Sequence, residues 1–204
     1  MLVLNIAGGK FAPLPFNETE NLLVPKFVLS VDTSYYTKIQ AVEMEDNIIT
    51  WSQNPDRLPT YGHLNEDAFA FMERTRITFD RVVIYRFLEH VTFTQVEYFI
   101  YLISTVLKKG GTVDVIVPNY EILAQMLINE SAYDGLEEFN FQANNILLTT
   151  ELLNEPSCPH ASIWTPHRME KFWELEGRFE VMSQDEAFKF DGREIYLRSL
   201  MKRI

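Results

Sequence analysis

Two glycines end the first apolar run of the chain: Leu2 to Ile6 is followed at once by Ala7-Gly8-Gly9. Neither glycine carries a Cβ, so the backbone at that turn can approach a ligand closely. About 23 residues further on, a second apolar run, Phe27 to Val31, ends on Asp32. A carboxylate at that place can accept hydrogen bonds from both hydroxyls of a ribose. Each feature also has a plainer reading, an ordinary tight turn for the glycines and a helix or turn cap for Asp32. Together they point to an adenosine-containing ligand.

Glu89 and His90 follow a third apolar run, Phe79 to Tyr85. A histidine titrates near pH 6.5, at about the right place to take a proton from a reacting group. His90 can equally cap a following helix, and Glu89 can act as base, contact a ligand or complement a helix dipole. His160 stands in Pro159-His160-Ala161-Ser162-Ile163-Trp164, while His63 and His167 have no partner in sequence and read as surface residues. The four histidines and the single Cys158 show no metal-ligand spacing, so no metal is expected. Cys158 reads as a plain buried thiol.

The elements that must position these residues alternate. Strands are expected at Leu2 to Ile6, Phe27 to Val31, Phe79 to Tyr85 and Thr112 to Val117. The segment from Ala41 to Leu64 is punctuated by Pro55, Pro59 and Gly62 and reads as irregular, with a short strand possible over Ile48 to Trp51. Ala68 to Met72 suits a helical turn. Thr94 to Lys109 carries an apolar stripe of Val96, Phe99, Ile100, Ile103 and Leu107 at helical spacing, with Lys108-Lys109-Gly110 as its stop. Tyr120 to Asn129 suits a helix. Thr165-Pro166 is a strong start for another, running to about Leu175. Phe179 to Phe190 and Glu194 to Leu200 flank Asp191-Gly192, a hairpin signal. This order predicts an α/β fold, a Rossmann-like doubly wound and mostly parallel sheet with a C-terminal antiparallel hairpin. Ligands of such sheets sit beyond the carboxyl ends of the strands, where Ala7, Asp32, Tyr85-Arg86 and Pro118-Asn119 fall.

With 204 residues, 47% of them hydrophobic, the chain suits one domain able to bury a core. The lone cysteine excludes an internal disulfide framework and suggests a reducing compartment. No apolar run approaches the roughly 18 residues that span a bilayer, and the N-terminus lacks the signature of a secretory signal, so no membrane association and a cytoplasmic location are expected. A formal net charge of -11 makes non-specific nucleic-acid binding unlikely. The basic candidates are few: Lys108-Lys109, Arg198 and Lys202-Arg203.

The turn after Gly9 is poor ground for a pyrophosphate. Pro13 and Pro15 delay the next helix, and Glu18 and Glu20 would place negative charge in its first turn. S-adenosylmethionine, a sulfonium with no phosphate, is the better match. A nicotinamide oxidoreductase is disfavoured for the same reason.

The ordered set LNIAGG, VLSVD, EDAFAF, FDRVVIYRFLEHV, LKKGGTVDVIVPN and HASIWTP resembles the successive motifs of class I S-adenosylmethionine-dependent methyltransferases. It is most similar to the group of small proteins with Leu-Glu-His after the fourth strand, over roughly residues 2 to 182. The resemblance implies a seven-stranded sheet and S-adenosylmethionine as cofactor. It implies that Asn5, Ala7, Gly8 and Gly9 lie under the methionine and ribose, that Asp32 holds the ribose, and that Asp67 and Ala68 bind the adenine. Tyr85 and Arg86 would lie beside the cofactor, with Glu89 and His90 on the next turn and His160 near the active-site mouth, in reach of substrate. Ala7 stands where the family usually has glycine.

Methyl transfer from a sulfonium is an in-line displacement whose main demand is alignment, with a base added when the acceptor must lose a proton. His90 and Glu89 are the catalytic candidates. The sequence lacks both a proline-then-cysteine nucleophile after the fourth strand and an Asn-Pro-Pro-Tyr type motif, which disfavours a DNA methyltransferase. The expected acceptor is a small molecule, a sugar or a protein side chain, with residues 133 to 164 shaping specificity. The alternative is a catalytically inactive relative acting as a binding or assembly module, with a protein partner or a second copy of the chain.

Overall fold

The computed structural model describes residues 2–6, 27–32, 43–45, 48–51, 60–65, 67–128, 160–175, 177–190 and 193–204. Ala7, Gly8, Gly9, the Asn17 to Glu20 capping signal, Cys158, residues 133–159 of the expected specificity segment, and Asp191-Gly192 lie outside them.

The uniformly apolar runs form the middle of the sheet. Strand β1 (Leu2–Ile6) pairs in parallel with β2 (Phe27–Asp32) on one side and with β6 (Phe79–Tyr85) on the other. β2 pairs in parallel with β5 (Thr60–Asn65), and β6 with β7 (Leu107–Pro118). The five-stranded parallel core is therefore β5-β2-β1-β6-β7, and the chain reverses its direction of build between β1 and β6. That reversal is the switch point at which doubly wound sheets open a ligand crevice.

Four antiparallel strands extend this core. β3 (Glu43–Glu45) and β4 (Ile48–Trp51) add to the β5 edge, while β9 (Arg193–Arg203) and β8 (Phe179–Phe190) add to β7. The sheet thus has nine described strands, not seven, in the order β3-β4-β5-β2-β1-β6-β7-β9-β8. The segment read as irregular holds β3, β4 (at the Ile48–Trp51 strand that was expected there) and all but the last residue of β5. β5 escaped notice because Thr60-Tyr61-Gly62-His63-Leu64-Asn65 has neither an apolar run nor clean alternation, and a glycine sits inside it.

Helices α1 (Ala68–Arg74), α2 (Phe93–Val106) and α4 (Pro166–Glu174) bury apolar side chains on one face of the sheet; α3 spans Tyr120–Ile128. Their core joins Phe71, Phe99, Ile103, Met169 and Trp173 to Leu4, Ile6, Val82, Ile84, Val113 and Val115. Val3, Val83 and Ile116, which alternate onto the opposite face, are buried too, so the sheet is covered on both sides. Among the described residues no helix is long and apolar enough to cross a membrane.

α2 ends at Val106, earlier than its apolar stripe suggested, because Leu107 turns into extended backbone and begins β7. Lys108 reaches Asp80 at 2.7 Å, away from the helix terminus. Gly110 takes a left-handed φ of 79°, and a Cβ on Gly111 would come within 2.8 Å of the Asp80 and Lys108 carbonyl oxygens. The two glycines thus shape an irregularity inside β7, between the pairs Phe79–Leu107 and Arg81–Thr112.

Candidate active site at the carboxyl ends of the strands

At the end of β6, Arg86 adopts φ 53°, the left-handed region that side chains other than glycine enter at a cost of about 1 kcal/mol or more. Its N–H donates to the Ile116 carbonyl of β7 at 2.8 Å. This sharp exit delivers a single turn of 3-10 helix, Leu88–His90, over the strand ends, pinned by the fully buried Leu88.

The turn is clamped to a remote segment. The Glu89 carbonyl accepts from the Ala161 and Ser162 amides at 2.7 and 2.9 Å. The Leu88 carbonyl accepts from Ser162 Oγ at 3.0 Å and Trp164 Nε1 at 3.4 Å. The Trp164 carbonyl in turn accepts from the Tyr120 amide at 3.0 Å, just past β7. Three stretches far apart in sequence are thereby fixed together.

Their side chains meet above the sheet. The rings of His90 and His160 stand edge to face with centroids 4.9 Å apart. Tyr120 OH is hydrogen-bonded to His160 Nδ1. One donor atom from each of Glu89, His90 and His160 lies within 4.8 Å of the others. Glu89 is 1% exposed, and its Oε2 has no hydrogen-bond partner among the described residues.

Burial pushes the Glu89 carboxyl up to about 8, against the lesser pull of its own amide and of Arg86. Burial, with the neighbouring His90 and Arg86, lowers His160 to about 4, so it is a neutral imidazole at pH 7. Burial also raises Tyr120, which keeps its proton there. The cluster therefore combines a neutral imidazole, a hydroxyl and a carboxyl group, of which Glu89 is the one that exchanges a proton near neutral pH.

The other sequence candidates spread along the same rim. Asn5 is buried one residue before the end of β1, and Asp32 is the last residue of β2, in register with Asn65. Asp67, exposed, caps α1 by accepting from the Ala70 amide at 3.0 Å, and Ala68 beside it is buried. A carboxylate such as Asp67 accepts from hydroxyl and amino donors and repels phosphates, a chemistry that suits an adenosyl group better than a pyrophosphate.

Tyr85 turns elsewhere. It is buried with its hydroxyl 3.3 Å from Asp114 Oδ2, in a cluster with Arg81 and Arg198 that the sequence reading missed. Tyr120 was missed as well, and its only sequence signal is its place immediately after Pro118-Asn119. His167 is exposed on α4, as expected, and His63 falls within β5.

Neither a family model nor a curated protein matches the sequence. Solved structures do match the fold. The N-methyltransferase NodS from Bradyrhizobium japonicum in complex with S-adenosyl-L-homocysteine is 12% identical, covers 100% of this chain and 78% of its own, and gives a TM-score of 0.52. A Haloferax volcanii complex between the Trm112 methyltransferase activator and a proposed methyltransferase gives 0.56 at 12% identity, over 99% of this chain and 82% of the other. A SAM-dependent methyltransferase from Methanosarcina mazei gives 0.56 at 13% identity, over 100% and 92%. The chain thus has the fold of class I S-adenosylmethionine-dependent methyltransferases.

Proposed function

We propose that the protein transfers a methyl group from S-adenosylmethionine to an acceptor presented at the Glu89–His90–His160 cluster. The observation that carries this reading is the cluster's position: it stands at the end of β6, beside the switch point between β1 and β6. Asp32 would hold the ribose hydroxyls, Asp67 and Ala68 the adenine edge, and Asn5 with Ala7, Gly8 and Gly9 the methionine and ribose side. Arg86 flanks the same rim, whereas Tyr85 is turned away to Asp114. Bound there, the cofactor supplies an electrophilic methyl carbon.

The chain's own part is alignment and proton handling. The clamp of Ala161 and Ser162 on Glu89 holds His160 against His90, where burial keeps the imidazole neutral and free to orient an acceptor by hydrogen bonding, while Glu89 is the group that exchanges a proton near neutral pH. His90 and Glu89 complete the set that faces an acceptor hydroxyl or ammonium. The acceptor classes are a small molecule, a sugar or a protein side chain, with residues 133–164 setting the choice. The named complex of a neighbour with an activator supports assembly with a partner protein.

Calorimetry on the full chain with S-adenosylmethionine, S-adenosylhomocysteine and NAD tests the reading. Both adenosyl ligands should bind and NAD should not. Asp32→Ala should weaken both by about tenfold or more, the loss of two hydrogen bonds. Binding of NAD alone, or of none of the three, sinks the proposal.

A further inference from the structure

We propose that Glu89, His90 and His160 form a binding site for a divalent first-row transition-metal ion. The inference rests on geometry, and it stands independently of methyl transfer. Donor atoms of the three side chains lie within 4.8 Å of one another. In a tetrahedral zinc site with bonds of about 2.1 Å, neighbouring donors stand about 3.4 Å apart. Closing the set therefore takes side-chain shifts of about 1 Å, well within rotamer adjustment of three groups on clamped backbone.

A second observation points the same way. Glu89 is 1% exposed, and its Oε2 is buried without a hydrogen-bond partner among the described residues. A buried carboxyl oxygen left without a partner carries a desolvation cost that a bound cation would relieve. A carboxyl oxygen of the same side chain lies within 4.8 Å of a ring nitrogen of each of two imidazoles.

The surroundings resemble the support that metal-binding histidines receive. In the tautomer with the proton on Nδ1, His160 donates that N–H to the Tyr120 hydroxyl oxygen, which fixes the ring and leaves the Nε2 lone pair for an ion. The third ligand comes from a distant segment, but the amides of Ala161 and Ser162 lock that segment onto the Glu89 carbonyl at 2.7 and 2.9 Å. Two imidazoles and one carboxylate favour zinc, cobalt, manganese or iron over magnesium or calcium. Such a set leaves coordination positions open, which suit water or the oxygen of a hydroxyl-bearing acceptor; that last clause alone rests on the proposed methyl transfer. The sequence showed no metal spacing because one ligand lies on a separate segment.

The test is direct. Chelator-stripped full-length protein is titrated with Zn²⁺ by calorimetry and with Co²⁺ by visible spectroscopy, without cofactor. One equivalent should bind, and Co²⁺ should give the intense ligand-field bands of a low-coordinate site. Glu89→Gln and His160→Ala should each weaken binding by about 100-fold or more, since even outer partners of metal ligands cost 10–100-fold. His167→Ala, which changes an exposed histidine on α4, should leave binding unchanged. Absence of binding by either ion, or retention of full affinity in Glu89→Gln, overturns the site. So does loss of binding in His167→Ala. Failure of the adenosyl ligands to bind, with the metal result intact, would remove the methyl-transfer reading and leave the ion.

Discussion

Arg198 grips both carboxylate oxygens of Asp114, Nε donating to Oδ1 at 3.1 Å and Nη2 to Oδ2 at 2.9 Å, while Arg81 reaches the same Oδ2 from β6. Asp114 is fully buried, and the three charges tie β6, β7 and β9 together on the face opposite the α1–α2–α4 core. Asp114→Asn keeps the shape but removes the anion between two guanidiniums. It should cost about 3–5 kcal/mol in urea unfolding, the range for breaking a buried pair from one side. A loss under about 1 kcal/mol would mean that the cluster does not stabilise these strands.

Stability should vary with pH in a way that Glu89 and His160 dictate. Glu89 lies at about 8 in the folded chain against an ordinary 4.5, so between those values the folded state keeps a proton that the unfolded chain has released. Its contribution falls as pH rises, by about 1.4 kcal/mol per unit at most. His160 lies at about 4 against 6.5, so its contribution falls as pH drops through that interval. The two slopes oppose each other between 4.5 and 6.5, and from 6.5 to about 8 Glu89 acts alone. In chelator, Glu89→Gln should flatten the upper limb of the curve; an unaltered limb would show that Glu89 titrates normally.

Gly111→Ala should destabilise by about 1–3 kcal/mol, because the added methyl meets two backbone carbonyls at 2.8 Å that cannot rotate away. At Gly110 a Cβ meets open space, so alanine there carries only the strain of φ 79°. Thermal unfolding of both variants checks the order, with Gly111→Ala the less stable.

Asp67 can be separated into cap and ligand contact. Asp67→Ala removes the bond from the Ala70 amide and should cost about 1 kcal/mol. Asp67→Ser restores a capping oxygen but no carboxylate, so it should recover stability while cofactor affinity stays low. Full affinity in the serine variant would confine Asp67 to capping.

The sequence was most readable where one physical signal stood alone. The apolar runs of β1, β2 and β6 announced themselves, since strands buried on both faces need no polar alternation. Thr165-Pro166 marked the start of α4, and the threonine side chain does accept from the Arg168 amide at 3.3 Å. The end of α2 was misread because Leu107 satisfies a helical stripe and a buried strand start equally well. In the site, Glu89 and His90 were visible as neighbours. Their union with His160 and Tyr120 was not, because backbone bonds between remote segments create it and no local spacing records them.

The outermost strands carry one more consequence. β3 reads Glu43-Met44-Glu45, and β8, at the other border, includes Glu180, Asp185 and Glu186. Unsatisfied amides and carbonyls along such borders invite another chain to continue the ladder. Among the described residues both borders are rich in acidic residue types, a composition that disfavours edge-to-edge pairing of two copies.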